Sequence, residues 1–388
     1  MKKYQGKKYL TKACATAAIV GLLMTGCAPK RGGDETTAAP TQAGTVADPS
    51  VAATEPSTEN APLDPNQYVI DLDSINVSEF IDLSKVKDLK IKTSDVTASD
   101  AFIKYQTSQD LVNNYGFTLA TKDGAVEGGD TVTIDYKGYI NGIRFDGGTA
   151  ANAELGIGSG RFIPGFEEGI IGRRVGDEFD LNVTFPEDYS DKDFAGKKAV
   201  FKVTLKKIQT LPEVTDDQLK EKTKEKYTSY KTYAEEKAEE IKKNYHDSII
   251  LGKIMAAVTE KKEHEGLIDE YVKEQLANVD RACAAYGVDR LTYLNSTGYS
   301  VDEFEALLKD NGKAYAKQKL TILGICREEG MKIEDGELEN FKKKLLEDYK
   351  EQVKSEEELL KIMTEDELEY QLLYEKFLEY LKNYKTVD

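Results

Sequence analysis

The sequence predicts an α+β protein: a small antiparallel sheet wrapping one short helix, followed by a separate all-α domain. Two observations carry this. Ten of the 30 glycines fall between Gly142 and Gly176, among short runs that alternate apolar and polar residues, the mark of strands joined by glycine turns. Beyond Pro212 the remaining 176 residues contain no proline, and apolar residues recur there at helical spacing. A third observation sets the N-terminal region apart, since six of the nine prolines lie between Pro29 and Pro65.

Taken in order, residues 1–26 read as a processing signal. Lys2, Lys3, Lys7, Lys8 and Lys12 form a positive start, and Ala13 to Met24 supply an apolar stretch too short for a stable membrane span. The stretch ends in Met24-Thr25-Gly26-Cys27, which resembles the bacterial lipobox, in which the cysteine is lipidated and becomes the new N-terminus. Cys27 is the expected lipidation site, and two or three acyl chains would anchor the protein stably where one is marginal. Residues 27–66, rich in Pro, Thr, Ala, Ser and Gly, read as an extended tether. Residues 67–125 read as a strand-like lead-in ("KVKDLKIK") and then a helix ending at Gly116, a good C-cap residue.

Residues 126–209 carry the alternating runs "DTVTIDYKGYI", "EFDLNVTF" and "AVFKVTLKKI", interrupted by one helix near Gly165 to Ile171. Residues 210–388 read as about five helices. Their starts are marked by capping-box spacings at Thr215/Gln218, Ser300/Glu303, Ser355/Glu358 and Thr364/Glu367. One apolar face runs through Ile268, Tyr271, Val272, Gln275, Leu276, Val279, Cys283 and Tyr286.

Charge and composition exclude several functions. The formal charge is −17, and removing the first 26 residues leaves 48 basic against 70 acidic residues, a net −22. Such a surface repels phosphate backbones, so no nucleic-acid partner is expected. The two histidines, His246 and His264, sit in lysine- and glutamate-rich stretches and read as solvated helix positions. A metal site or a Ser-His-Asp triad therefore has almost no material, and no cofactor is implied. Cys283 and Cys326 remain after processing, either as small buried core residues or as a disulfide whose geometry nothing local fixes.

The pieces "VTIDYKG", "FDGG", "IGSGRFIPGFEEGIIG", "VGDEFDLNVTFPEDY" and "AGKKAVFKV" resemble, in order and spacing, the FKBP-type peptidyl-prolyl isomerase domain. Within that family they look most like the version found in trigger factor. The resemblance implies an apolar cup lined by Tyr136, Phe145, Asp146, Phe162, Ile163, Phe166, Tyr189 and Phe201. Phe166 would be its floor in a chain without tryptophan. It implies that Tyr189 bonds a substrate carbonyl and that Asp146 orients a pocket tyrosine. Phe201 and Ile163 would touch both core and pocket, and Leu155 stands as a rim candidate. A carboxylate beside an aromatic residue at the Gly147-Gly148 bend is poor core material.

Residues 210–388, with "LPEVTDDQL", "HEGLIDEYVKEQL" and "KIEDGELENFKKKL" in family order, resemble the trigger-factor-C/SurA-like helical chaperone domain. No "GFRxGKxP"-like ribosome-docking loop occurs in the sequence, and no ribosome docking is expected. The implied role is a lipid-anchored, extracytoplasmic isomerase and chaperone. Its partners would be unfolded or nascent secreted polypeptides with X–Pro bonds, with the membrane reached through the lipid anchor. The rival is a non-catalytic holdase that keeps a vestigial isomerase domain as a docking surface.

Overall fold

The computed structural model describes residues 70–187 and 189–388. The signal segment 1–26, the lipidation cysteine Cys27 and the tether 27–66 lie outside the described residues. Two compact bodies emerge, one formed by residues 90–253 with 381–388, the other by residues 254–380 with those before 90.

The first body is built on an antiparallel sheet. Its central strand, Thr131–Ile140, pairs with Ile143–Gly156 on one side and Lys198–Thr210 on the other. The strands Glu178–Thr184 and Ala120–Thr121 pair with different stretches of Lys198–Thr210. The hairpin between the first two strands turns at Asn141-Gly142, both at positive φ, the arrangement that matches the twist of flanking strands. Alternation puts Val132, Ile134 and Tyr136 inward beside Phe201, Val203 and Leu205, and these pack with Phe166, Ile170, Leu181 and Val183 in one core.

The helix expected from Gly165 to Ile171 shrinks to a single 3₁₀ turn, Glu168–Ile170. Gly165 and Gly172 bracket it at positive φ, and both interrupt helical backbone. The helix Asp100–Tyr115 does end where Gly116 takes the left-handed conformation, and the Ser99 hydroxyl caps its start by accepting the Phe102 N–H. This helix lies against a glycine surface of the sheet domain: a Cβ on Gly156 would fall 2.0 Å from the Tyr105 ring.

In the second body the strand-like lead-in breaks into short pieces, and in the run "KVKDLKIK" only Lys85 to Lys87 are helical. Val77–Phe80 and Ser84–Lys87 are one-turn helices, separated by the two-residue strand Ile81–Asp82, which pairs with Thr259–Glu260. Leu83 and Val86 are buried at a spacing of one helical turn, which overrides the apparent period-two alternation. Residues expected as one segment, 67–125, thus divide, those before 90 joining the helical body and the rest the sheet body.

Beyond Pro212 the chain forms eight helices, five of them with 12 or more residues. Sequence periodicity resolves the long ones and misses short helices such as Arg290–Thr297. The helix Val301–Glu328 is the spine of the second body, with every residue from Leu320 to Cys326 buried. Both bonds of the capping box form at Thr215/Gln218, Ser300/Glu303 and Thr364/Glu367. At Ser355 only half forms, because the Glu358 carboxylate accepts the Lys354 N–H instead. Cys283 and Cys326 are buried free thiols, and burial pushes the Cys326 thiol up to about 11. Among the described residues no helix is long and apolar enough to cross a membrane.

Candidate active site

The sheet body concentrates aromatic rings at one end of its core. Tyr136, on the central strand, stands edge-on to three of them: Phe162 at 5.7 Å, Phe166 at 5.9 Å and Phe201 at 6.0 Å between ring centroids. Phe166 is fully buried beneath this group, 4.5 Å from Phe162 and 5.1 Å from Phe201. Phe145 links these rings to a second set, lying 5.8 Å from Phe201, 5.9 Å from Phe185 and 5.0 Å from Phe194. Tyr189 completes that set, 4.8 Å from Phe185. Edge-to-face rings at these distances hold one another in fixed orientation.

Two glycines clear the seat of Phe145. A Cβ on Gly138 would come within 2.7 Å of both the Phe145 and Phe201 rings, and one on Gly148 within 2.6 Å of Phe145. Gly148 thus lets the Phe145 ring approach the backbone closely, and Gly147 beside it takes the left-handed conformation. Ile163 is half-buried against the same core.

Seven of the eight sequence-derived residues therefore share one ring-lined wall, with Tyr136, Phe166 and Phe201 buried and Phe145, Phe162, Ile163 and Tyr189 half-buried above them. Asp146 stands apart, exposed and without a hydrogen bond to Tyr136. Leu155, taken as a rim candidate, is 1% exposed and belongs to the core. It faces inward because it pairs with Val132 on the buried side of the sheet. Sequence reasoning left out Phe185 and Phe194. The first stood inside the quoted "VGDEFDLNVTFPEDY", and only its burial at 4% and its ring contacts reveal its place.

The Tyr136 hydroxyl makes no hydrogen bond to a described residue, although the side chain is 9% exposed. Burial pushes the Tyr136 phenol up, so it stays a neutral donor. Ile163 likewise directs a backbone N–H that bonds to no described residue. What results is an apolar wall with few open polar groups, suited to bind a small apolar ring next to a carbonyl and unsuited to proton transfer or nucleophilic attack.

Comparison with known proteins agrees with this geometry. Residues 122–206 match the model of the FKBP-type peptidyl-prolyl cis-trans isomerase, and residues 215–383 match that of the bacterial trigger factor C-terminus. The trigger factor of Geobacillus kaustophilus is 30% identical over 320 residues, covering 81% of this chain and 74% of that protein. The chain belongs to the trigger factor family. The trigger factor of Halothermothrix orenii is similar at the same identity, with 81% of this chain and 75% of that protein covered. A solved structure reported for promiscuous substrate recognition by the trigger factor chaperone aligns with 79% of this chain and 73% of its own, at 19% identity and a TM-score of 0.30. Membership in the trigger factor family rests on the sequence matches alone. It gives this chain an FKBP-type domain followed by a trigger factor C-terminal domain, the two parts that the sheet body and the helices after Pro212 represent.

Proposed function

We propose that this chain is a peptidyl-prolyl cis-trans isomerase and chaperone that assists the folding of secreted proteins outside the cytoplasmic membrane, to which a lipid on Cys27 anchors it. The observation that supports it most is the ring-lined wall itself. An X–Pro bond is held by amide resonance behind a barrier of roughly 18–20 kcal/mol, and the resonance is lost as the bond twists. A dry apolar wall favours the twisted amide, whose charge separation is smaller, over the planar one. Lowering the barrier by about 4–7 kcal/mol accelerates the step by roughly 10³ to 10⁵. Neither a strong acid nor a nucleophile is needed, which fits a site whose polar groups are a neutral phenol and an open amide.

The helical body supports the chaperone half. Val288, Leu291, Tyr299 and Leu307 are exposed apolar residues within a short stretch of chain that joins three helices. Apolar side chains left exposed close together in the chain are available to meet other chains. Ribosome docking forms no part of this reading. The site of action follows from the lipobox-like Met24-Thr25-Gly26-Cys27.

The test is a prolyl isomerase assay on the processed chain, with a proline-containing tetrapeptide and with a refolding protein limited by proline isomerisation. Acceleration of both is expected, and Phe145→Ala is expected to reduce it at least tenfold by opening the wall to water. Activity equal to wild type in both Phe145→Ala and Tyr136→Ala would remove the ring wall from the reaction.

A further inference from the structure

One buried carboxylate is not explained by the ring wall. Glu167 follows the floor residue Phe166 in sequence and is 5% exposed, yet it pairs with no cation among the described residues. Its two oxygens are spent on one loop. Oε2 accepts the backbone N–H groups of Gly158 at 2.8 Å and Gly160 at 3.2 Å. Oε1 accepts the Ser159 hydroxyl at 2.9 Å, the Arg161 N–H at 3.0 Å and the Phe162 N–H at 3.3 Å. Five donors from five consecutive residues converge on a single side chain. Such charge-assisted bonds are roughly twice as strong as neutral ones, and a carboxylate buried here without them would be prohibitively costly.

The consequence lies in what the loop delivers. Gly158 and Gly160 are at positive φ, so the backbone here has no helix or sheet to hold it. The fifth donor, Phe162, carries a ring of the wall, and Ile163 follows it directly. The carboxylate takes up the N–H groups through residue 162, and the N–H of Ile163 is the first one left open beside the wall.

We propose that Glu167 is a positioning residue of the isomerase site. It fixes the 158–162 loop so that the Phe162 ring and the Ile163 N–H meet the substrate already in place. The assignment rests on the isomerase reading above. A preorganised site spends none of its binding energy on ordering the loop during the reaction, so loosening it costs transition-state stabilisation without removing any group that touches substrate.

The test is Glu167→Gln in the processed chain, which keeps the shape, removes the charge and turns one acceptor into a donor facing backbone N–H groups. Ser159→Ala serves as a gentler second variant that removes one donor of the five. Isomerase kcat/KM is measured beside amide hydrogen exchange for residues 158–162 and for the sheet residues Val203 and Leu205. Glu167→Gln is expected to lower kcat/KM about tenfold or more and Ser159→Ala about two- to threefold. Exchange should rise in residues 158–162 while Val203 and Leu205 stay protected.

Unchanged kcat/KM in Glu167→Gln, with the loop amides deprotected, overturns the inference and leaves the isomerase reading standing. A loss of activity matched by equal deprotection of Val203 and Leu205 also overturns it, by showing a role in folding alone. If Glu167→Gln does not fold, an unaltered kcat/KM in Ser159→Ala with a deprotected loop has the same force. A silent wild-type chain fails earlier and removes the isomerase reading itself.

Discussion

At the scale of single residues, the site depends on what its rings exclude more than on what its polar groups do. Tyr136 illustrates this. Its hydroxyl bonds no described residue, so Tyr136→Phe should leave the sheet body as stable as wild type, and any loss of rate would report a bond to substrate worth about three- to tenfold. Burial raises the phenol above its ordinary range, so the group does not ionise as pH climbs toward that range. The isomerase rate should accordingly be flat from about pH 6 to about pH 9 if the Tyr136 phenol is the ionisable group that the reaction meets. A rate–pH profile that bends inside that window would place an ionising group in the mechanism and contradict a purely apolar site. Most of this wall was legible in the sequence through its resemblance to the FKBP-type domain, whose glycine and aromatic pieces recur here in the same order. Two kinds of residue were not. Phe185 and Phe194 join through packing, which no spacing rule reports. Glu167 makes five bonds to a loop five to nine residues before it, a relation that exists only once the loop has folded back.

At the scale of elements, end signals proved more informative than periodicity. Three of four capping-box spacings form both of their bonds, because the signal is local and its energy is realised within one turn. The lead-in "KVKDLKIK" shows the opposite case. Its alternation satisfies a strand pattern, yet no strand forms: its first three residues belong to the one-turn helix Ser84–Lys87, in which Val86 is buried. His264 is a cap that sequence reading passed over as a solvated position. Its Nδ1 accepts the Leu267 N–H at 3.2 Å and so starts the helix Glu265–Tyr286, while its ring lies 4.4 Å from Phe80. Burial is the main cause that lowers its basicity; Lys262 and Lys319 act in the same direction and Glu270 opposes them. A histidine whose folded basicity is lowered contributes stability that is complete above the ordinary histidine range, near pH 6.5, and is lost as pH falls through the lowered value. Protonation removes the acceptor that makes the cap. His264→Ala should therefore cost about 0.5–2 kcal/mol at pH 7.5 and progressively less toward pH 5. Thermal melts of wild type and variant at those two pH values measure the gap, and a gap of equal size at both would exclude the histidine cap as its source.

At the scale of the whole molecule, the sequence places two different chemistries in one chain and gives them separate bodies. The boundary was the least legible feature, since the chain enters the helical body before residue 90, leaves it, and returns within the long helix Tyr230–Ala257. Pairings such as Ile81 with Glu260 join residues far apart in sequence, and local patterns carry no trace of them. In the proposed function, where the molecule works is set by residues other than those that do the work. A net charge of −17, deepening to −22 without the first 26 residues, gives no electrostatic attraction to anionic lipid or to ribosomal RNA. On the proposed reading, membrane attachment comes from acyl chains on Cys27, and two or three chains suffice for stable anchoring where surface charge contributes nothing. Cys27→Ser should consequently move the protein from the membrane fraction to the soluble extracytoplasmic fraction while leaving its isomerase rate per molecule unchanged. Fractionation of cells carrying either form, together with sedimentation over a ribosome cushion at low salt, reads both halves of the argument. Retention of Cys27→Ser on membranes would show a second attachment surface on the folded bodies. Co-sedimentation of the wild-type chain with ribosomes would instead return the molecule to the cytoplasm, where nascent chains and not translocated ones would be its clients.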